Sequence, residues 1–381
     1  MGNDSKEGRS FVEALSTVLH LGNHFLNANF LPSILISAVV FGLLFPSLGQ
    51  QASKFGLSKW ATFGVFLISG LTLRTSELGG VLRAQLPLLF GVVSSLFISP
   101  SIAVLVLQVP INPQEFVNGL ALFCCMPTTL SSGVLLTQAA GANTALALSL
   151  TLISNLLGIF TMPVMISKLV APNLGFSLPA GSLIKSLVQT SLIPLVIGKV
   201  IRLYGSGFID KRKEVLSKLS AILLGLVPFM QASCGRNLFL SVRMQNFLAV
   251  TALGMAVHCV FLLWNILVMS NIKYSKDVHW QKSNAWAIVL TASQKTLPVV
   301  IVVIGSVGGL MGEPGLLVLP CMATHITQII IDSFLVRFWI EGATRKESYT
   351  FQGIDNERAP EVLQEKKAIH FRGLITSELR R

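Results

Sequence analysis

Charge is scarce in this chain, and negative charge scarcer still. Only 17 Asp and Glu stand against 29 Lys and Arg among 381 residues, and charged side chains make up 12% of the total. Soluble domains carry about 25%. Together with 52% hydrophobic residues and a mean hydropathy of +0.69, the deficit excludes an ordinary soluble globular protein. The formal net charge of +12 does not point to nucleic acid, because no compact basic domain lies outside the apolar runs. In a membrane protein, basic loops report topology.

Cysteine is sparse too. Cys124, Cys125, Cys234, Cys259 and Cys321 all fall inside apolar runs and show no CxxC spacing. An odd count so placed argues against a disulfide framework and a zinc site, and leaves small packing residues. The chain lacks HExxH, a phosphate-binding loop, a GxSxG elbow and an aspartate-rich diphosphate motif, which points away from an enzyme. The first thirty residues carry Asp4, Glu7 and Glu13 without an early apolar run, so they read neither as a secretory signal nor as an acid-poor transit peptide. Neither a myristoylation start nor a prenylation box is evident.

What the chain has is long apolar runs. Crossing a hydrocarbon core takes about 20 apolar residues. Ten runs read as spans: 31–49, 60–73, 86–107, 116–140, 144–169, 183–203, 219–233, 247–270, 285–308 and 316–340. The expected fold is therefore an all-α, multi-pass membrane protein embedded in the lipid bilayer. With ten spans, the face that holds both termini carries Lys6, Arg9, Arg74, Arg83, Lys199, Arg202, Lys211, Arg212, Lys213, Lys218, Lys273, Lys276 and Lys282. The other face has only Lys54, Lys59, Lys168, Lys185, Arg236 and Arg243. The positive-inside rule then places both termini on the cytoplasmic or stromal-type side. The expected organisation is an N-terminal segment 1–30, a first five-span repeat 31–170, a linker 171–182, a second repeat 183–340 and a charged flexible tail 341–381. Five spans per half make the second half enter the membrane inverted, as in many transporters.

The fourth span of each half is interrupted. In the first half the run FCCMPTTLSSGVLLTQ puts Pro127 and a cluster of hydroxyls at mid-span. Pro127 removes a backbone donor, and Thr128, Thr129, Ser131 and Ser132 can satisfy the freed groups or bind a ligand with them. The helix start after the break would turn its positive end toward an anion. In the second half LTASQKTLPVV sets Lys295 beside Ser293, Gln294 and Thr296, three residues before Pro298. An ammonium at membrane depth costs a few kcal/mol and marks a functional site by default. Lys295 can bind an anionic substrate, replace a coupling cation, or snorkel to the interface. Broken helices of this kind mark substrate sites in secondary transporters.

Other polar groups sit at depth. Thr151, Ser154 and Asn155 cluster where the fifth span passes the first break, either lining the site or bonding helix to helix. His325, Gln328 and Asp332 share a face of the last span. They can line a pathway or relay protons, and Asp332 can equally anchor the helix end near Arg337. His258 reads as a hydrogen-bonded core residue.

The runs CCMPTTLSSGVLLTQAAGANTALALSLTLISNLLGI, FLISGLTLR, SLIPLVIGKVIR, SQKTLPV and LLVLPCMATHITQIIIDS resemble the bile acid:sodium symporter family. The resemblance covers residues 30–339. It is greatest to the branch that holds the plastid sodium/metabolite cotransporters of plants and the seventh member of solute carrier family ten. It implies ten helices in two inverted repeats, with spans 1, 2, 6 and 7 forming a panel domain. The remaining spans form a core domain in which discontinuous spans 4 and 9 cross. It also implies two sodium sites beside that crossing. Carried onto this sequence, the family's ligands fall on Ser132 and Thr151, near Thr291, at Gln294 or Lys295, and near Ser95. The asparagine that follows the serine is Gly133 here, a second fifth-span ligand is Ala147, and the ninth-span glutamate falls near Thr291.

The expected function is secondary transport of a small organic anion by alternating access, with sodium as the coupling ion. Lys295, Thr296, Ser131, Thr128, Thr129 and Asn155 are the expected substrate ligands. Ser132, Thr151, Thr291, Gln294 and Ser95 are the expected cation ligands. No cofactor is expected beyond sodium. A proton-coupled or uniport anion carrier and a non-transporting membrane regulator are the alternatives. In a photosynthetic organism the branch points to the plastid envelope, and otherwise to a plasma or endomembrane.

Overall fold

The computed structural model describes residues 30–72, 84–130, 132–175, 177–272 and 276–352. Ser131, the basic residues Lys6, Arg9, Arg74, Arg83 and Lys273, and the tail beyond residue 352 lie outside them. Residues up to Ile330 form one compact unit and those from Ile331 a second.

Every regular element among the described residues is a helix. The first apolar run is divided between α1 (Phe30–Leu44) and α2 (Pro46–Lys54), which meet at 101°. The bend falls where proline dictates. Pro46 has no amide hydrogen to continue α1, and its ring pushes Phe45 out of helical geometry to φ −121°, ψ 63°. The single span expected over 31–49 is therefore a bent pair. α3 (Leu57–Thr72) follows, 16 residues long.

α4 runs Gln85–Leu107 and contains a π turn at Ser94–Ile98. α5 (Gln114–Cys124) and α6 (Ser132–Ala139) divide the fourth run around Pro127. α7 starts at Thr144, where the Asn143 side chain caps the Leu146 amide, and ends in a π turn and a 3-10 turn at Leu174. α8 spans Ala180–Lys211, with a π turn at Val188–Leu192. α9 (Lys213–Cys234), the short α10 (Arg236–Ser241) and α11 (Met244–Asn271) lead to the second broken run. There α12 (Val278–Ser293) and α13 (Leu297–Val307) are separated by three residues. The last helix, α14 (Pro314–Gln352), continues past the expected end of its apolar span at residue 340.

Among the described residues, seven helices are long and apolar enough to cross a membrane, or eight if the bent α1–α2 pair counts as one span. The chain is a multi-pass membrane protein. Two expected spans fall short as single helices: α3 extends about 24 Å at 1.5 Å per residue, and α5 and α6 are halves of one run.

α3 packs against α8 and α9, and α9 against α1 and α2. The α3–α8 pair is closed by two glycines. A Cβ on Gly70 would stand 2.1 Å from the Leu195 carbonyl oxygen, and one on Gly198 would stand 2.2 Å from that of Leu67. Side chains there would force the backbones apart. The outward face of α8 exposes Ile193, Val196, Ile197, Val200 and Ile201, as a lipid-facing helix should. A second set of contacts joins α12 to α4, α6, α7 and α11. The α12–α13 run is buried along 94% of its most apolar stretch, more than any other candidate span. The costliest polar residues lie at its centre.

Candidate functional site

Three helix interruptions meet at Lys295. In α4 the π turn makes the Ser99 amide donate to the Ser94 carbonyl, not to that of Ser95. The next residue, Pro100, has no amide hydrogen. The Ser95 carbonyl is therefore left without a helical donor. In the fourth run α5 stops at Cys124, and Pro127 prevents the chain from resuming helix directly, so the Met126 carbonyl is released at the end of a half-helix. In the ninth run Gln294 is extended, at φ −82°, ψ 144°, and α13 restarts with Pro298 in its first turn.

The Lys295 side chain reaches both released carbonyls. Its Nζ donates to the Ser95 oxygen at 2.8 Å and to the Met126 oxygen at 2.9 Å. The Phe261 ring centroid lies 5.4 Å from the ammonium, within cation–π range. Lys295 is 1% exposed, so snorkelling to an interface is overturned as its role. The side chain is directed inward because the carbonyls that stabilise it are inside.

The backbone around Lys295 is tied on both sides. The Thr296 amide donates to the Pro127 carbonyl at 3.1 Å, joining the two breaks. The Gln328 side chain accepts from the Lys295 amide at 3.1 Å and donates to the Lys295 carbonyl at 2.8 Å, an amide paired with an amide. His325 Nδ1 lies 2.9 Å from Gln328 Nε2 and 3.2 Å from the Lys295 carbonyl. Two members of the expected polar stripe thus stitch the second break. The third, Asp332, is also buried.

Beside them, Gln294 Oε1 accepts from Ser132 Oγ at 2.7 Å and Thr129 Oγ1 at 3.1 Å. Thr129 Oγ1 in turn accepts from the Gly133 amide in the first turn of α6, a position where helix donors need an outside partner. Thr137 Oγ1 and Thr291 Oγ1 stand 3.5 Å apart. Gly133 and Thr291, two positions that depart from the resembled family's ligands, face each other. A Cβ on Gly133 would lie 3.2 Å from the Thr291 Cα. Ala147 is fully buried against the same helices.

α7 closes the other side. Asn155 Nδ2 donates to the Thr128 carbonyl at 3.0 Å and to that of Thr151 at 2.8 Å, and Thr128 Oγ1 lies 2.7 Å from Ser154 Oγ. The expected proximity of this part of the fifth span to the first break is observed for Ser154 and Asn155. Among the described residues, Thr151 Oγ1, Asn155 Oδ1 and Thr296 Oγ1 are buried without a hydrogen-bond partner. Each such group costs about 1–3 kcal/mol, a penalty that a ligand can relieve.

Sequence reasoning missed one network. Asn265 on α11 accepts from Ser94 at 2.7 Å and donates to Ser293 at 2.9 Å, linking the π turn to the end of α12. A buried asparagine in mid-span was the available signal, the same one that singled out Asn155. Ser95 serves through its carbonyl; its hydroxyl turns back to the Val92 carbonyl at 3.3 Å. His258 is buried, as a core residue should be.

The two broken runs lie within a stretch that matches known sequences. The model of the SBF-like CPA transporter family matches residues 29–341. The chain is 49% identical over 322 residues to the "Probable sodium/metabolite cotransporter BASS4, chloroplastic" of Oryza sativa subsp. indica, covering 83% of this chain and 76% of that protein. It is 45% identical over 342 residues to the Arabidopsis thaliana protein of the same name, covering 87% and 78% respectively. Identity to the "Sodium/bile acid cotransporter 7-B" of Xenopus laevis is 26% over 313 residues, 79% of this chain and 89% of that one. The family match takes in both broken runs and the residues around Lys295, and the chain belongs to the SBF-like CPA transporter family.

Proposed function

We propose that the protein is a sodium-coupled secondary transporter of a small organic anion, working by alternating access around the crossing of the two broken runs. The observation that carries this reading is the chemistry of the crossing. Among the described residues, the hydrogen-bond partners of the Lys295 ammonium are two backbone carbonyls and no carboxylate, so Lys295 brings a positive charge that no acidic side chain pairs. A buried site of that sign favours an anion. The names of the relatives, sodium/metabolite and sodium/bile acid cotransporters, support the coupling ion.

In this reading Thr296, Thr128, Thr129, Asn155 and Ser131 bind the substrate, under the charge of Lys295. The unpartnered Asn155 Oδ1 and Thr296 Oγ1 favour that assignment. Ser132, Gln294, Thr151 and Thr291 form the sodium site, with Thr151 Oγ1 unpartnered and the two hydroxyls of Ser132 and Thr129 already converging on Gln294. Ser95 belongs with Lys295 through its carbonyl. His325 and Gln328 support the broken helix.

The architecture proposed is ten spans in two inverted repeats, 31–170 and 183–340, joined by a linker and flanked by segments 1–30 and 341–381. Contacts of α3 with α8 and α9, and of α9 with α1, favour a panel that moves against a core built on α4 to α7 and α11 to α14. The basic bias of the loops favours both termini on the cytoplasmic or stromal-type face. The chloroplastic names of the plant relatives favour the plastid envelope. That no carboxylate among the described residues pairs with Lys295 also favours a second reading, anion uniport without sodium.

Uptake into proteoliposomes of the purified protein separates the two. Radiolabelled small carboxylates and sulfonates would be offered under an inward sodium gradient and, in parallel, a potassium gradient. Uptake driven by sodium alone carries the first reading. Equal uptake under both gradients replaces it with the second.

A further inference from the structure

The two oxygens that hold Lys295 are both carbonyls from which the backbone has withdrawn its donor. Ser95 loses its donor to the π turn and to Pro100, and Met126 loses its donor at the end of α5. In a water-free interior such oxygens need a donor or a cation. Carbonyls released at interrupted membrane helices are the ligands that secondary transporters offer to alkali cations. The Met126 oxygen adds the negative end of the α5 dipole. Here a tethered ammonium takes the place, at 2.8 and 2.9 Å, with the Phe261 ring 5.4 Å away. The ion pairs found among the described residues, Arg202 with Asp210 and Lys218 with Glu214, do not include it. Its charge is held by dipoles, as a small cation's would be.

We infer that the Lys295 ammonium is a resident cation, filling a carbonyl seat at the crossing that an alkali ion would otherwise occupy. The seat is separate from the hydroxyl and amide cluster of Ser132, Thr129 and Gln294. A charge that cannot dissociate carries no coupling energy. Resting on the transport reading above, the consequence is one exchangeable sodium per cycle in place of two. A cycle that moves one sodium with a monovalent anion is then electroneutral.

The test is thermal unfolding of the full chain in detergent for wild type, Lys295→Ala and Lys295→Ser, each purified in sodium chloride. Midpoints are followed against sodium chloride, potassium chloride and choline chloride at constant ionic strength. Above its dissociation constant, every bound ion adds the same increment per tenfold rise in concentration, so the slope counts sites. Vacating the seat predicts a variant midpoint that is lowest in choline. It should recover with sodium or potassium, with a slope one site steeper than wild type. Lys295→Ser serves where alanine leaves too little folded protein. Slopes equal to wild type in the folded variants overturn the inference and make Lys295 a structural peg. A flat wild-type slope with a one-site variant slope upholds the seat but removes the sodium site proposed above. A one-site slope in all three removes the seat and leaves that site standing.

Discussion

The Thr296 amide donates to the Pro127 carbonyl at 3.1 Å, so one backbone hydrogen bond joins the residue after Lys295 to the proline that breaks the other half of the chain. The two interruptions satisfy each other. Each releases backbone groups that lipid cannot pair, and their proximity brings a donor from one to an acceptor from the other. The geometry allows two polar breaks to stay at depth while leaving a few side-chain atoms without partners.

Gln328 carries the backbone on the other side of Lys295. Gln328→Leu removes both its bonds to Lys295 and leaves the buried Lys295 amide unpaired, at about 1–3 kcal/mol, with His325 the remaining neighbour of the carbonyl. His325→Leu should cost less, because Gln328 still holds that carbonyl. Thermal unfolding in detergent should rank the variants in that order. A Gln328→Leu midpoint equal to wild type would contradict the stitching role.

Gln294 is where the hydroxyls of Ser132 and Thr129 converge. Ser132→Ala should weaken sodium-specific stabilisation by about tenfold in affinity, or about 1.4 kcal/mol. Gln294→Ala should abolish it. Both are read from sodium titrations of the unfolding midpoint with choline as the control. Unchanged sodium dependence in Gln294→Ala would move the cation site elsewhere.

Close approach of α3 and α8 depends on Gly70 and Gly198. Gly198→Leu places its Cβ on the Leu67 carbonyl and should destabilise the protein by about 1–3 kcal/mol or more. The fraction that remains folded should keep its sodium dependence, since neither helix contributes a proposed cation ligand. Loss of sodium response without loss of stability would mean that this interface and the crossing are coupled.

The breaks were legible because Pro127, Pro298 and Lys295 are expensive where they stand, and cost is readable from residue type and neighbours. The approach of Asn155 to the first break was legible for the same reason. The partners of Lys295 were not, because they are backbone carbonyls and no side chain announces them. Pro100 held part of the signal: a proline one turn beyond Ser95 leaves a carbonyl without its donor. The π turn that completes the effect has no residue signature. The bend at Pro46 was hidden by reading hydropathy alone, since one proline barely lowers the mean of an otherwise apolar run. The stripe of His325 and Gln328 was visible as a face, but its work on the Lys295 backbone appears only once the broken helix is in place.

The central claim is that the crossing opens to water in turn on each side of the membrane. Thr296 is 1% exposed here, so a cysteine at that position reports any opening. The measurement is labelling of Thr296→Cys, with the five native cysteines replaced, by a membrane-impermeant thiol reagent in right-side-out and inverted vesicles, with sodium or choline. Alternating access predicts labelling from both faces, with sodium shifting the ratio between them. Protection from both faces in both salts, in protein that still unfolds cooperatively, would contradict it.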